Sequence, residues 1–100
     1  MSATRMTLME AIACKKTVMA QYNGGQVKLA PHLLFERHGD LFVSALNLSK
    51  TWRADEEPRL GQFKLAGLIA PELLDETFAP ISGYEPTPPR SDDALLLTVE

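Results

Sequence analysis

The first apolar positions of the chain recur at helical spacing. Three of them lie on one side of a helix: Leu8, Met9 and Ile12. Thr7 stands three residues before Glu10, the spacing at which a cap hydroxyl and a first-turn carboxylate bind each other's backbone amides. Lys15 and Lys16 follow, where the negative end of the helix dipole favours cations. The pattern predicts a helix of two or three turns, too short to persist alone in water, so its apolar stripe must dock on another element, which we expect to be a sheet.

The next segment alternates between apolar and polar residues around Asn23-Gly24. A two-residue turn at this dipeptide brings apolar pairs together on one face: Val18 with Leu29, and Ala20 with Val27. The other face then carries a second set of pairs: Met19 with Lys28, and Gln21 with Gln26. A slip of one residue would mix the two faces, so the sequence predicts this hairpin in one register.

Further strands are predicted downstream. A second turn at His38-Gly39 gives two more pairs: Phe35 with Phe42, and Arg37 with Asp40. Pro31 has no amide donor and marks a bulge or an edge. Residues 63–69 and 73–78 predict one or two short strands with a turn between them, and residues 94–99 predict a final strand.

These elements predict a mainly β fold with one N-terminal helix. Several short strands joined mostly by tight turns are typical of a small, strongly bent sheet or barrel. We expect residues 1–80 to form this domain, and residues 81–100 to form a Pro-rich linker and a C-terminal apolar strand. Such a tethered strand can add to a sheet edge, so we expect it to close the barrel or to exchange between the subunits of a homodimer.

Length and composition limit the classes of protein. With 100 residues, 45% of them hydrophobic, the chain supports one domain with room for only a shallow site. Its single cysteine, Cys14, cannot form an internal disulfide, which fits a reducing compartment. No apolar segment approaches the length of a membrane span. We therefore expect a cytoplasmic protein without a membrane partner.

Positive charge is concentrated in the first part of the chain. Residues 1–60 contain eight Lys or Arg against six Asp or Glu, a balance of +2, whereas residues 61–100 contain two against seven, a balance of −5. The total of −3 argues against a protein that wraps nucleic acid backbones. It leaves room for one small anion bound by the first half.

Several short motifs occur in a collinear order over residues 8–78. They are MEAI in the helix, the strand ending at Tyr22, KLAP at 28–31, GDLFVSA at 39–45, QFKL at 62–65, and Phe78. In this order they resemble the WYL domain, a small Sm-like or SH3-like β-barrel found in bacterial transcriptional regulators and in some CRISPR-associated proteins. The resemblance implies a barrel that senses nucleotide-like or single-stranded nucleic acid ligands.

The chain departs from the family pattern at the residues that carry ligand chemistry. The eponymous Trp-Tyr-Leu is replaced by Leu41, Phe42 and Val43, which keeps apolar character but removes the indole N–H and phenol O–H. Three basic positions of a family strand fall on Gly61, Lys64 and Gly67. Lys64 is therefore the one cation of that set that the resemblance carries over.

Six side chains are candidates for ligand binding: Lys28, His32, Phe42, Trp52, Arg53 and Lys64. If Lys28 and Lys64 converge, they present two charges to a phosphate; the alternative is that both are solvated strand residues. His32 is either a donor to an anion or a base edge, or a half-exposed turn residue.

The long polar segment around residues 49–61 holds an aromatic residue beside a cation. Trp52 and Arg53 are suited to stack on a base and hold its phosphate. The alternative, which we favour, is that Trp52 folds back and plugs one end of the barrel.

The residues do not suggest an enzyme. Cys14 stands beside Lys15, but no partner base for a nucleophilic mechanism is evident, and we expect this thiol to be half-buried. Two histidines and one cysteine give no zinc spacing, and no Gly-rich phosphate loop occurs. We therefore expect no catalysis, no metal and no cofactor.

Two functions from different classes follow. The first is a WYL-like binding or regulatory module that senses an anionic ligand in transcription regulation or phage defence. The second is a structural or protein-interaction module with a decayed ligand site, which oligomerises through its C-terminal strand. Convergence of Lys28, His32 and Lys64 in one concave patch would favour the first, and an apolar patch covered by the tail would favour the second.

Overall fold

The computed structural model describes residues 3–50, 53, 55 and 58–99. Within these residues one helix, α1 (Ala3–Cys14), precedes six strands and one 3-10 turn (Leu65–Gly67). The strands are β1 (Lys16–Tyr22), β2 (Gly25–Arg37), β3 (Asp40–Asn47), β4 (Gly61–Lys64), β5 (Ile69–Thr77) and β6 (Ala94–Thr98). The mainly β fold with an N-terminal helix agrees with the prediction from the sequence.

The strands form one antiparallel sheet that is open. Its order is β4-β3-β2-β1-β5, and β6 pairs with β2 beside this path. The expected closed barrel is not formed, because in the described part of the chain β4 pairs with β3 and β5 pairs with β1, but not with each other. β4 has only four residues, and β5 contains Pro71, which has no amide to donate to a further strand.

Both predicted hairpins are confirmed in their predicted registers. The first turn has positive φ at Asn23 (51°) and Gly24 (80°), and Val18 lies opposite Leu29. The second turn repeats this geometry at His38 (50°) and Gly39 (82°). Positive φ at both central residues gives the twist that two-residue hairpins need, and Asn and Gly tolerate it best. The alternation and the turn chemistry act together to fix both registers.

Strand β2 changes its neighbour at the bulge that Pro31 predicts. Pro31 pairs with Ala45 and Leu33 pairs with Ser44, so His32 is the extra residue on β2. β1 pairs with β2 up to Leu29, and β6 pairs with it from Leu33 onwards. The bulge thus divides one edge of β2 between the first strand and the last.

Helix α1 starts earlier than its sequence suggests. It begins at Ala3, so Thr7 lies within the helix and does not cap it. The buried stripe consists of Leu8, Ala11 and Ile12, whereas Met9 is 37% exposed. Ala3 to Met6 contains good helix formers, which extend the helix beyond the capping signal. Cys14 is exposed and not half-buried as expected.

The hydrophobic core lies between α1 and the sheet. Leu8 and Ile12 from the helix pack in one cluster with Leu34 of β2 and Val43 of β3. Val99, which follows β6, is only 4% exposed and belongs to the same cluster. The C-terminal strand is therefore part of the folded domain and not a free tail.

Candidate functional site

Strand β6 is an apolar strand with one unpaired edge. It carries no charged residue, it pairs with β2 on one side, and no strand among the described residues pairs with its other side. Leu95 and Leu96 are 43% and 45% exposed. Leu34 pairs with Leu97 and Phe35 with Leu95, so Leu96 is an extra residue, and this bulge explains why two successive leucines are exposed.

An ion pair fixes the start of β6. Arg37 donates from Nε and Nη2 to the two carboxylate oxygens of Asp93, at 2.7 and 2.8 Å. The Asp93 side chain is fully buried, and the Arg37 guanidinium lies over the rings of Phe35 and Phe42, 5.2 and 5.1 Å from their centroids. The hydrogen bond from Arg37 holds the pKa of the Asp93 carboxyl below its ordinary value.

His32 binds both ends of the C-terminal segment, residues 79–99. Its Nε2 accepts the amide of Ile81 at 3.1 Å, and its backbone carbonyl accepts the amide of Val99 at 2.8 Å. The Tyr84 hydroxyl donates to the same carbonyl at 3.1 Å. His32 is fully buried, so the expected half-exposed position is wrong, because the bulge turns its ring into the protein. Burial lowers the pKa of the imidazole.

Lys28 forms an ion pair within the domain. Its ammonium contacts the Glu76 carboxylate of β5, and its side chain is only 27% exposed. Its backbone amide donates to the Ser49 hydroxyl at 2.8 Å, which attaches the segment after β3 to β2. The geometry assigns Lys28 a contact between two strands.

Lys64 lies at a different place on the sheet. It is opposite Phe42, which is opposite Phe35, seven positions after Lys28 along β2. Its ammonium lies 3.4 Å from Asp40. Lys28, His32 and Lys64 are therefore not brought together in one patch.

The remaining candidates are also separate. Phe42 is half-buried and stacks on Phe35 with ring centroids 5.5 Å apart. Arg53 lies 3.8 Å from Asp55, both exposed. Trp52 lies outside the described residues, so neither prediction for it is tested.

One groove lies at the N-terminal end of α1. It has a volume of about 410 Å³, and its lining includes Arg5, Asp40, Lys64 and Leu65. Its walls carry two cations and one carboxylate. In this groove a candidate ligand residue, Lys64, faces a concavity.

The part of the chain that the structure describes contains no group of three or more His, Cys, Asp or Glu side chains that could hold a metal ion. It also contains no helix that is long and apolar enough to cross a membrane.

The sequence did not reveal the residues that hold β6. The sequence predicts that Asp93 lies in a Pro-rich linker. The predicted cross-strand pair of Arg37 with Asp40 is confirmed, but the Arg37 side chain binds Asp93, while Asp40 lies beside Lys64. Tyr84 also lies in that linker, yet its hydroxyl binds β2. The sequence offers one signal for this attachment: Tyr84 and the acidic pair Asp92-Asp93 precede the apolar strand in the Pro-rich segment.

Comparisons with protein-family models, with curated proteins and with solved structures find no match for this chain. The WYL resemblance thus rests on its motifs alone.

Proposed function

We propose that this chain is a non-catalytic protein-interaction module that forms a homodimer through the outer edge of β6. One observation carries the proposal: β6 is an uncharged apolar edge strand with Leu95 and Leu96 exposed. An exposed apolar edge presents unpaired amides and carbonyls that another extended strand satisfies.

The charge pattern favours a second copy of this chain as the partner. No charged residue occurs from Ala94 to Val99. Two β6 strands paired antiparallel about Leu96 therefore place leucine opposite leucine and Ala94 opposite Thr98, with no like charges facing each other. A two-fold contact of this kind is self-complementary and closes on itself.

The attachment of β6 supports the same partner. The Arg37–Asp93 ion pair holds the strand at its start, and the bond from the Val99 amide to the His32 carbonyl holds it at its end. Because the edge is already ordered, association loses less conformational entropy. The bulge at Leu96 restricts pairing to a few residues, which favours a closed pair over a growing sheet.

The homodimer is tested by its mass over a concentration series. A five-residue strand offers a small contact area, which is typical of weak association. We expect Leu96→Lys to hold the protein at the mass of one chain. Leu48→Lys changes another exposed leucine, 38% exposed and away from β6, and should leave the dimer intact. Equal masses for the two variants would refute the proposal.

A second candidate function is the anion sensing that the WYL resemblance implies, in transcription regulation or phage defence. The groove beside Lys64, which also contains Arg5, favours it. We expect a nucleotide or a short single-stranded oligonucleotide to raise the melting temperature, and Lys64→Ala to abolish the rise. Lys28→Ala is the control, because Lys28 already binds Glu76. If no such ligand stabilises the protein, this candidate fails.

A further inference from the structure

His32 is a titratable side chain buried at the place where the C-terminal segment attaches to β2. Three residues of that segment bind it: Ile81 through the ring, and Tyr84 and Val99 through the carbonyl. The rings of Phe78 and Tyr84 pack against the imidazole with centroids 5.1 Å away. A change in the protonation state of this ring can therefore affect all three of these hydrogen bonds.

The hydrogen bonds of His32 require the neutral imidazole. Nδ1 lies 2.7 Å from the carbonyl oxygen of Ala30 and must donate a proton to it. Nε2 lies 3.1 Å from the amide nitrogen of Ile81 and must accept, so it carries no proton. The imidazolium has a proton on both nitrogens, which would set two donors against each other at Nε2.

The groups that face His32 do not compensate a positive charge. From the end of β5 it meets Phe78, and from the linker it meets Ile81 and Tyr84. Of these three only the tyrosine titrates, and burial raises the pKa of that hydroxyl. On β6 and β3 the nearby residues are Val99, which binds the His32 carbonyl, and the partners of the adjacent Pro31 and Leu33, which are Ala45, Ser44 and Thr98; none of them carries a charge. Among these described neighbours a buried imidazolium has no carboxylate to pair with.

We propose that protonation of His32 releases residues 79–99 from β2. Strand β6 then no longer presents an ordered edge to a second copy of the chain, and this inference rests on the homodimer proposed above. A protonated ring removes the acceptor of the Ile81 amide. The charged ring is also more stable in water than in the protein interior. Its movement out of the bulge displaces the backbone carbonyl of His32, which binds Tyr84 and Val99.

The pH window follows from the direction of the pKa shift. Burial lowers the pKa of His32 in the folded chain, although the bond to Ala30 opposes this, so the released state binds a proton more readily. Attachment is complete above the ordinary histidine value of about 6.5 and is lost as pH falls below it. We expect the released fraction to rise about tenfold for each pH unit until the folded pKa is reached.

Two other ionisable side chains lie near the segment. Asp93 keeps its charge throughout this window, because Arg37 lowers the pKa of its carboxyl. His38 is exposed and lies 3.6 Å from Asp92. The variant His38→Gln therefore separates the response of His32 from any contribution of His38.

Hydrogen exchange of residues 79–99 between pH 7.5 and 5, corrected for intrinsic rates, tests the release. We expect exchange in this segment to rise on acidification in the wild type and in His38→Gln. His32→Gln, whose amide can offer a neutral acceptor to the Ile81 amide, should show no such rise. Unchanged exchange in the wild type, or an equal rise in His32→Gln, would overturn the inference.

A second measurement does not depend on the His32→Gln variant folding. The chain has two histidines, so in His38→Gln the imidazole resonances belong to His32 alone. We expect neutral Nδ1–H imidazole at pH 7.5, with its protonation coinciding with the rise in exchange. Protonation of His32 without release of residues 79–99 would refute the inference. Because exchange reports the tail and mass reports the dimer, a monomer whose tail is released by acid would refute only the homodimer.

Discussion

Arg37 and Asp93, 56 residues apart in the sequence, form a two-bond ion pair that fastens the start of β6 to the hairpin of β2 and β3. Arg37 also donates from Nη1 to the Gln62 amide oxygen of β4 at 3.2 Å. One guanidinium thus connects three separate parts of the chain. The sheet edge that we assign to dimerisation depends on this contact.

Removing one partner of this pair should destabilise the fold. Asp93→Ala leaves the mostly buried Arg37 cation without its carboxylate, so we expect the melting temperature to fall by several degrees. Asp92→Ala, at an exposed neighbouring position, should change it little. Adding Arg37→Met to Asp93→Ala should recover part of the loss. Thermal unfolding followed by circular dichroism checks all three, and equal effects of the two aspartates would contradict this role.

The same pair predicts how stability depends on acid. Arg37 lowers the pKa of Asp93 in the folded chain, so the unfolded chain binds the proton more readily. The contribution of the pair is complete above the ordinary aspartate value of about 3.9 and is lost as pH falls through the folded pKa. Denaturant unfolding between pH 5 and 2 should show this loss in the wild type. If Asp93→Asn shows an equally steep loss, another group is responsible.

The two hairpins were predictable from the sequence, and the attachment of β6 was not. Alternating residues and the turns at Asn23 and His38 are local signals, and local signals set the registers. The partner of Arg37 depends on where a strand 56 residues later is placed, and no local pattern contains that information. Asp40 is the cross-strand partner of Arg37, as the register predicts, but its carboxylate lies beside Lys64.

Other differences have similar causes. His32 reads as a turn residue because it follows Pro31, but the bulge and the covering segment bury it. The barrel was expected from a count of short strands, yet closure needs two edges that match in length and donors. The short β4 and the Pro71-containing β5 do not match in this way. Both outcomes depend on tertiary contacts that propensity does not record.

The packing of β6 within its own chain can be tested with two substitutions in and after that strand. Val99→Ala removes two methyl groups from a residue that is 4% exposed, and we expect it to lower the free energy of unfolding by about 2 kcal/mol. Leu96→Ala, at a position that is 45% exposed, should change it by less than about 0.5 kcal/mol. Denaturant titrations of both variants check this. Similar small losses would mean that the strand does not pack on its own core.

Gly61 and Gly67, at positions that are basic in the WYL domains that the chain resembles, leave little space for a side chain. A Cβ atom at Gly67 would lie 3.0 Å from Cε1 of Tyr22, whose ring packs edge-on against Phe63. We expect Gly67→Ala to cost about 1–2 kcal/mol in the free energy of unfolding, because Tyr22 must move. Gly25→Ala is the matched control, since nothing lies within 4 Å of its Cβ position. Equal stability of the two variants would show that Tyr22 yields freely.

The central claim is that the outer edge of β6 pairs with a second copy of the chain. Residue-resolved hydrogen exchange at pH 7.5 tests it directly, by following the amides of Ala94–Thr98 that do not bind β2 at high and at low protein concentration. We expect these amides to be protected at high concentration and to lose protection on dilution, while the amides bound to β2 stay protected throughout. Rapid exchange of the outer amides at every concentration would contradict the claim.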